Sequence, residues 1–458
     1  MMHELVVENA RAVLDGEIIQ CSIGIDGGKI SRIGKILQGQ ETYDARGLLA
    51  LPGAIDSHVH FRDLRQEEKE DWLSGSKAAI YGGVTTVVDM PNSDPPTLDE
   101  ESFEVKLAVA KNRSMVDFAI NGGVHENLRR LPGLWQLGVL AFGEIFMAKS
   151  TGGYGLGPEE LREALGAIAW LGATASIHAE DEALHEELAR SLKNDMTPSV
   201  YSKLRPPESE IRAVEEAIRL QRLTKASMHI THVSTARSVD LISREGITCD
   251  VTPHHLFLTM DHWDRLGPRA KMNPPIRGER DRLALWKALE EGSIEALASD
   301  HAPHTLEEKA RPVREAPAGV PGVETMMPLM LKAVLDRRLS LQRLIDVTSE
   351  NPARIFDIQG KGGLVRGLDA DIMLVDMGAV TTITAAGLHG KARWTPYEGF
   401  EAIFPQAVML RGNVVLDGKE FYGKRGSGQF IRGKGYERRP KAAGKAAKTG
   451  SAGAGKKA

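Results

Sequence analysis

The sequence predicts an α/β protein in which a (β/α)8 barrel, or TIM barrel, carries a small β-sandwich domain formed by the N- and C-terminal segments. Between residues 51 and 363, short apolar runs alternate with longer segments of helical periodicity, the pattern of parallel strands joined by helices. Eight such runs can be counted, and eight strands close this kind of barrel. The flanking segments contain short strands and glycine-rich turns, and a length of 458 residues suits a large domain with a smaller companion.

The N-terminal segment, residues 1–50, is predicted to form one part of the small β domain. Its short apolar or alternating stretches lie at residues 4–7, 23–25 and 30–33, and the turn-forming string Asp26-Gly27-Gly28 lies among them. A sheet of short strands accounts for this pattern.

The central segment, residues 51–363, is predicted to form the barrel. Its predicted strands are 53–56, 84–89, 115–120, 139–146, 174–178, 227–232, 247–251 and 294–298. Helical stretches at 159–171, 208–224 and 280–291 lie between several of them.

The C-terminal segment returns to short strands, at 370–376 and 407–417, the second containing the turn-like string Arg411-Gly412-Asn413. We expect residues 364–425 to pair with residues 1–50 in one small domain. Residues 440–458 are mostly Lys, Ala and Gly without acids, and they are predicted to be a disordered basic tail.

Composition narrows the functional classes. A net charge of -4 with 26% charged residues gives no sign of nucleic-acid binding. The two cysteines, Cys21 and Cys249, lie far apart and form neither a CxxC metal motif nor a disulfide framework. The first residues lack the apolar run of a signal peptide, and no stretch approaches membrane-spanning length, so we expect a cytoplasmic protein without a membrane contact.

Residues able to bind metal follow several predicted strands. His58 and His60 are two apart on an extended segment, so both point to one side and can hold one ion, although an HxH pair alone also fits two surface histidines. His178 closes the fifth predicted strand, His232 closes the sixth, and Asp300 follows the eighth. All five residues would lie at the end of the barrel where barrel enzymes place their active sites. Such a coincidence of five unrelated side chains is improbable, so a metal site is the better interpretation.

Three further histidines have other interpretations. His229, three residues before the end of its strand, is predicted to be a buried core residue. Of His254 and His255, we expect one to line the pocket and the other to support the backbone.

Five strings together carry a resemblance to a known family. They are GAIDSHVHFR at 53–62, DMPN at 89–92, VTPHH at 251–255, KMNPP at 271–275 and ASDHAPH at 298–304. In order and spacing they resemble the dihydroorotases, in the cyclic amidohydrolase branch of the amidohydrolase superfamily. The resemblance extends from about residue 6 to about residue 417.

The resemblance implies a centre of two metal ions per subunit. One ion would lie between His58, His60 and Asp300, and the other would use His178 and His232. Imidazole and carboxylate ligands suit Zn²⁺. Two ions about 3.5 to 4 Å apart can share a hydroxide whose pKa is lowered toward about 7. Asp300 would then be the catalytic residue that takes a proton and delivers it to the departing amide nitrogen.

The bridging ligand departs from a common family pattern. Many relatives place a carboxylated lysine at the end of the fourth strand, whereas Glu144 stands in that register here. Glutamate offers the same two oxygens on a shorter stem. Glu144 is therefore the expected bridge, and a modified Lys149 is the alternative.

The resemblance also implies a substrate site. Arg62 and Asn92 correspond to a carboxylate-binding pair, and Asn273 and His304 would add hydrogen bonds. The loop at residues 317–322 is expected to close one wall with backbone groups, and Pro321 and Gly322 are its predicted substrate contacts. The implied reaction is the reversible cyclisation of N-carbamoyl-L-aspartate to dihydroorotate in de novo pyrimidine (UMP) biosynthesis. The alternatives are an allantoinase, a hydantoinase or dihydropyrimidinase, and a non-catalytic homologue. By analogy we expect a homo-oligomer, with association with aspartate carbamoyltransferase as a further prediction.

Overall fold

The computed structural model describes residues 2–14, 16–149, 155–195, 197 and 199–436. The predicted disordered tail at 440–458 lies outside the described residues. Within the described part of the chain, no helix combines the length and the apolar character needed to cross a bilayer.

The N-terminal segment forms five strands that extend well beyond the apolar runs which predict them. They are β1 (Met2–Leu14), β2 (Glu17–Asp26), β3 (Lys29–Gly34), β4 (Gln38–Asp44) and β5 (Leu49–Pro52). The predicted turn joins β2 to β3 through Gly27 and Gly28, whose φ values of 57° and 76° suit glycine in a tight hairpin.

The central segment forms eight short parallel strands. They are β6 (Ala54–Val59), β7 (Val84–Asp89), β8 (Asp117–Ile120), β9 (Phe142–Phe146), β10 (Thr174–His178), β11 (Ser227–Ile230), β12 (Thr248–Val251) and β13 (Ala296–Leu297). The strands β6 to β8 pair in one run and β9 to β13 in another. Parallel bridges between Gly122 and Phe142 and between Val59 and His301 join the two runs, which closes the predicted barrel.

The remaining strands follow the barrel in sequence. They are β14 (Ile372–Val375), β15 (Val380–Thr382), β16 (Glu401–Ile403), β17 (Ala407–Leu410), β18 (Asn413–Asp417) and β19 (Glu420–Phe421).

The α-helices pack mainly around the barrel. They are α1 (Trp72–Tyr81), α2 (Glu100–Arg113), α3 (Leu131–Leu137), α4 (Pro158–Leu171), α5 (Glu182–Ser191), α6 (Val200–Leu204), α7 (Pro207–Thr224), α8 (Ala236–Ser243), α9 (Pro253–Phe257), α10 (Trp263–Leu266), α11 (Glu279–Glu291), α12 (Leu306–Lys309), α13 (Met326–Leu335), α14 (Leu341–Ile345) and α15 (Asn351–Ile355). Because helices cover its outside, the barrel strands are buried on both faces, which explains their continuous apolar runs.

Several barrel strands are shorter than predicted. The third and fourth begin at Asp117 and Phe142, and the eighth contains only Ala296 and Leu297. The apolar residues just outside them, such as Val139 and Ile294, are buried in the turns that enter the strands. An apolar run reports burial, whereas the extent of a strand depends on which backbone groups pair with a neighbour.

One nine-stranded sheet joins the two ends of the chain, as predicted. Its order is β19-β18-β17-β14-β5-β1-β2-β3, with β4 also paired to β1. The N-terminal β5 pairs antiparallel with β14, with Leu51 opposite Met373. The sheet folds back on itself. The amide of Ala370, just before β14, donates to the carbonyl oxygen of Gly28 in the β2–β3 turn at 2.9 Å. The domain limits at 50, 364 and 425 stay predictions.

The last described residues, 426–436, return to the barrel. Phe118 of β8 donates its amide to Gln429 O at 2.9 Å, and the amide of Ile431 donates to Phe118 O at 2.7 Å. The ring of Phe430 lies 5.8 Å from that of Phe118. This segment extends past residue 425 and pairs with the third barrel strand.

A buried charge cluster connects the barrel with the nine-stranded sheet. Lys361 Nζ lies 2.5 Å from Asp117 Oδ2 on β8, 2.7 Å from Asp371 Oδ2 and 3.0 Å from Asp369 Oδ2. Arg411, in the turn between β17 and β18, pairs with the other oxygen of Asp117. The cluster therefore holds charges from the barrel, the sheet and their connection at one point.

Candidate metal centre and active site

The six predicted metal ligands converge at the C-terminal end of the barrel. His58 and His60 lie in and just after β6, Glu144 lies in β9, and His178 ends β10. His232 and Asp300 follow β11 and β13. All six are buried.

Three donor atoms form the first group. His60 Nε2 lies 3.2 Å from both His58 Nε2 and Asp300 Oδ1, and His58 Nε2 lies 3.5 Å from Asp300 Oδ1. The group therefore has two imidazole nitrogens and one carboxylate oxygen. Glu144 Oε2 lies beside it, 3.6 Å from His58 Nε2 and 3.9 Å from His60 Nε2.

The other oxygen of Glu144 faces the second pair of histidines. Glu144 Oε1 lies 2.7 Å from His178 Nδ1 and 2.8 Å from His232 Nε2. The two carboxylate oxygens of Glu144 are thus divided between the two predicted ligand sets. Lys149 does not reach this cluster: its ammonium is largely exposed and lies 3.4 Å from Glu182 Oε1.

The first group fits a metal ion. Zinc bonds of about 2.0 to 2.2 Å in tetrahedral geometry separate neighbouring donors by about 3.4 Å, close to the 3.2 to 3.5 Å between the donor atoms of His58, His60 and Asp300. The other ring nitrogens of His58 and His232, Nδ1 in both, are buried and find no hydrogen-bond partner among the described residues. His58, Glu144 and His232 form a second close group. The ring nitrogens His178 Nδ1 and His232 Nε2, however, lie at hydrogen-bond distance from Glu144 Oε1.

Outer contacts decide which ring nitrogen of two ligands faces the centre. His60 Nδ1 donates to Asn92 Oδ1 at 2.7 Å, which leaves Nε2 for the cluster. His178 Nε2 donates to Glu180 Oε2 at 2.8 Å, which leaves Nδ1. Glu180 is in turn paired with Arg205, which follows α6. Carboxylates and amides in this position orient metal-binding histidines.

Buried carboxylates also fix the backbone of the ligands. His232 and Asp300 have φ values of 39° and 44°, a region that costs free energy for residues other than glycine. Asp250 accepts a hydrogen bond from the His232 amide at 2.7 Å and lies 2.9 Å from His229 Nε2. His229 is therefore a buried supporting residue, as predicted, although its partners are side chains. Because the left-handed turn at His232 leaves the extended conformation, β11 ends at Ile230.

The carboxylates determine the protonation of this cluster. Burial alone would lower the pKa of His58, but Glu144 outweighs burial and raises that pKa to about 9. Burial would also lower the pKa of His178, but Glu144 and Glu180 outweigh burial and raise that pKa to about 9. Burial would raise the pKa of Glu144 and of Asp300, but the neighbouring histidines hold both pKa values below the ordinary range. The carboxylates therefore favour a cation at His58 and His178, whereas burial lowers the pKa of His60.

A cavity of about 320 Å³ opens beside the ligands. Its lining includes His60, Arg62, Asn92, Glu144, Phe146, His178, Asn273, Asp300, Ala302, Ala318 and Gly319. Arg62 is 4% exposed, its Nε donates to Pro303 O at 3.4 Å, and it forms no ion pair with any described residue. A buried guanidinium without an acidic partner suits an anionic ligand.

The predicted loop at residues 317–322 follows β13 and contributes to the cavity beside the ligands. Pro321 and Gly322 line a separate cavity behind the loop, where the Gly322 amide donates to His301 Nδ1 at 3.1 Å. Ala318 and Gly319 line the cavity beside the ligands instead. At Gly319, φ is +133° and a Cβ atom would lie 2.4 Å from Ala302 O, so this backbone approaches too closely for a side chain. Within the predicted loop, Ala318 and Gly319 line this cavity, and the substrate contacts of Pro321 and Gly322 stay a prediction.

The other predicted polar residues lie in the same region. Asn273 accepts a hydrogen bond from Tyr201 Oη at 2.6 Å. His304 Nε2 donates to Ala318 O at 3.0 Å and lies 3.4 Å from Arg62 Nη2. Burial lowers the pKa of His304 to about 3, so its ring is neutral at physiological pH.

Of the adjacent histidines His254 and His255, His255 has the predicted role of supporting the backbone. His255 Nε2 donates to Pro274 O at 3.0 Å and supports the backbone that carries Asn273. His254 is buried beside it, and its ring nitrogens find no partner among the described residues. Burial lowers the pKa of His254 to about 4.

Sequence reasoning missed Glu180, Asp250 and Tyr201. Glu180 follows His178 by two residues, and that proximity was the only available signal. Asp250 is an acid inside the apolar seventh run, a pattern that indicates a buried partner. Tyr201 gave no signal.

The fold and this cluster define a barrel protein with a hydrolase-type metal centre, and sequence comparison identifies its family. The profile of the Amidohydrolase family matches residues 49–415. The chain belongs to the amidohydrolase family.

Curated relatives cover nearly the whole chain. A dihydroorotase of Methanosarcina mazei is 46% identical over 450 residues, which is 95% of this chain and 99% of the relative. A dihydroorotase of Pyrococcus furiosus is 39% identical over 443 residues, with 95% and 98% covered.

Solved structures give the same architecture. An L-hydantoinase from Arthrobacter aurescens is 32% identical and superposes with a TM-score of 0.91, covering 94% of this chain and all of that one. A dihydropyrimidinase from Brevibacillus agri is 27% identical with a TM-score of 0.87, covering 95% and 99%.

Proposed function

We propose that this protein is a dihydroorotase, which interconverts N-carbamoyl-L-aspartate and dihydroorotate in de novo pyrimidine (UMP) biosynthesis. The observation that carries the proposal is the unpaired, buried guanidinium of Arg62 beside the metal-ligand cluster. Both substrates carry a carboxylate next to the reacting amide, which a guanidinium recognises through two hydrogen bonds. The relatives named dihydroorotase support it over most of the chain.

Two zinc ions are the proposed cofactors. His58, His60 and Asp300 would hold one, His178 and His232 the other, and Glu144 would bridge them. When bound, such ions polarise the amide carbonyl and activate water for attack.

The chain's own residues supply proton transfer and orientation. The pKa of Asp300 is held low by His60 and His58, despite burial, so its carboxylate is ionised at neutral pH. In that form it would take the proton of the attacking water. In hydrolysis it would pass that proton to the departing ring nitrogen, and in cyclisation the direction reverses. Arg62 and Asn92 would hold the substrate carboxylate, and Asn273 would hydrogen-bond the rest of the ring. His304, which bonds Ala318 O through Nε2, would support the wall of the cavity.

A hydantoinase or dihydropyrimidinase is the second candidate, because solved structures with those names share the fold closely. Allantoinase belongs to the same alternative. Their rings are neutral, so they offer no counter-ion for Arg62. A non-catalytic homologue is disfavoured by the complete ligand set. The homo-oligomer and the association with aspartate carbamoyltransferase stay predictions.

A substrate panel tests the proposal. The zinc-loaded protein should cyclise N-carbamoyl-L-aspartate and open dihydroorotate, with much lower kcat/KM on hydantoin, dihydrouracil and allantoin. Removal of metal with a chelator should abolish turnover, and Zn²⁺ should restore it. A preference for any of the neutral rings would contradict the proposal and support the second candidate.

Two variants connect the panel to the site. Arg62→Ala should raise KM for carbamoyl aspartate about 10- to 100-fold, the value of a charge-assisted hydrogen-bonded pair. Asp300→Ala should remain folded and lose turnover. The matched control is Arg65→Ala, since Arg65 is exposed and lies 3.6 Å from Asp94. An unchanged KM in the Arg62 variant would exclude it as the carboxylate ligand.

A further inference from the structure

The buried ammonium of Lys309 donates its hydrogen bonds to backbone carbonyls, as far as the described residues show. Its side chain ends α12 and is 2% exposed. Nζ donates to Lys271 O, Pro317 O and Gly319 O, each at 3.0 Å. Three donors are all that an ammonium has, so each is used.

No acid of the described residues pairs with this charge, although the charge of Glu308 offsets part of the effect of burial. Lys309 forms no ion pair with a described residue, and the adjacent Glu308 lies 2.9 Å from Lys69 Nζ and 3.2 Å from His304 Nδ1 instead. The face of Trp394, 5.5 Å away, gives a cation–π contact. Burial, with the charge of Lys271 adding to it, lowers the pKa of Lys309 well below the usual lysine value. An apolar side chain of similar length would avoid this cost, so packing alone does not explain the lysine.

The three carbonyls belong to the two segments that build one wall of the substrate cavity. Lys271 is two residues before Asn273, while Pro317 and Gly319 flank Ala318, and all three of Asn273, Ala318 and Gly319 line the cavity. The Gly319 amide also donates to Lys271 O at 3.0 Å, so the two segments are joined directly.

The carbonyls alternate in direction. Those of residues 317 and 319 point to Lys309, whereas Ala318 O accepts from His304 at 3.0 Å. Lys309 and His304 thereby fix the peptide planes on both sides of Ala318. Trp394 Nε1 donates to His304 O at 2.8 Å, so the same aromatic residue supports both.

We infer that Lys309 is a positioning residue for the substrate, holding the wall at 271–273 and 317–319 in register with Arg62 and Asp300. It touches no predicted metal ligand, and its effect would pass through the backbone groups of the wall. The inference rests on the proposed function, since it concerns binding of the carbamoyl aspartate or dihydroorotate that this wall would contact.

The test is the Lys309→Met variant, which keeps the alkyl stem and removes the ammonium. We expect KM for N-carbamoyl-L-aspartate to rise about tenfold or more, because misplacing a binding wall by a fraction of an ångström is costly. We expect kcat to change less than about threefold and the zinc content to stay as in the unmodified protein, because the metal ligands are untouched. Lys309→Arg, which keeps the charge, should recover part of the KM.

Lys332→Met is the matched control. This lysine on α13 is also largely covered, but it pairs with Asp336 at 2.6 Å and Glu401 at 3.1 Å, away from the cavity lining. Its KM should be unchanged. Where Lys309→Met does not fold, Lys309→Gln, with a neutral amide and two donors, carries the same comparison.

The outcomes separate the two claims. If the unmodified protein does not turn over carbamoyl aspartate, the proposed function fails. If it does, and a folded Lys309→Met or Lys309→Gln variant keeps its KM, or loses kcat and zinc together with KM, the positioning role is overturned.

Discussion

Glu180 forms one hydrogen bond with a predicted metal ligand, His178. That bond determines which ring nitrogen of His178 faces the predicted metal centre. The carboxylate accepts from His178 Nε2 at 2.8 Å and is itself held by Arg205. Arg205 reaches further, because its Nη2 donates to Lys149 O at 2.9 Å at the end of the β9 segment. A charged chain of contacts therefore surrounds one side of the centre.

The Glu180→Gln variant tests this support. An amide oxygen is a weaker acceptor than a carboxylate and leaves Arg205 without its counter-ion, so we expect zinc affinity at one of the two sites to fall about 10- to 100-fold. Competition with a chromophoric chelator measures it. Glu182→Gln, which changes an acid bonded only to Lys149 in the contacts described above, should leave both affinities unchanged. Two sites as tight as in the unmodified protein would contradict the prediction.

The convergence of the candidate ligands could be predicted because they lie in or just after apolar runs, and such positions meet at one end of a barrel. Glu180 could not, because its role depends on Arg205, which arrives from a later helix with no pattern linking them. Which residues of the predicted loop 317–322 line the cavity could not be predicted for a related reason. Which peptide of a loop faces a cavity depends on its hydrogen bonds, here to Lys309 and His304, and the string of residues does not encode that directly.

At the scale of elements, all eight barrel strands were predictable. The strands at 84–89 and 174–178 have the predicted bounds, whereas each of the other six differs from its prediction at one end or both. The buried runs mark where the chain enters the core, while pairing stops where a residue such as His232 turns out of the extended region. The pairing of residues 426–436 with β8 was also missed. Its sequence GSGQFIRGKGY is polar and glycine-rich, and its contacts are mostly backbone hydrogen bonds, which any sequence can make.

That segment gives a test by truncation. A chain ending at residue 425 loses the partners of the Phe118 amide and carbonyl, and unpaired buried backbone groups cost about 1 to 3 kcal/mol each. We expect its apparent Tm to fall by several degrees relative to a chain ending at residue 436, measured by calorimetry with the same metal loading. Equal Tm values for the two chains would show that the pairing adds no stability.

At the scale of the whole molecule, the buried charge cluster around Lys361 connects the barrel with the nine-stranded sheet. Removing its ammonium leaves Asp117, Asp369 and Asp371 facing each other with only partial compensation. Burial opposes the charge of Lys361, but the three carboxylates outweigh it and raise its pKa above the ordinary value. Its contribution is therefore complete below the pKa of an unfolded lysine, about 10.4, and is lost only as pH rises through the higher folded value.

Lys361→Met should destabilise the protein by about 3 to 5 kcal/mol at neutral pH, the cost of breaking a buried ion cluster by removing one partner. Urea unfolding followed by circular dichroism measures it. The matched control is Lys29→Met: Lys29 is half exposed and lies 2.7 Å from Asp369, so its loss should cost about 0 to 1 kcal/mol. Similar losses in both variants would contradict a special role for the buried cluster.

The pairing of β5 with β14 has a consequence for how the chain is made. Leu49–Pro52 leaves the ribosome early, yet its partner Ile372–Val375 is synthesised only after the entire barrel. During that interval, at about 5 to 20 residues per second, one edge of an apolar strand has no native neighbour. The nine-stranded sheet can be completed only after the barrel has been translated. Its assembly is therefore a late step of biogenesis, and the unpaired strand needs the protection of chaperones until then.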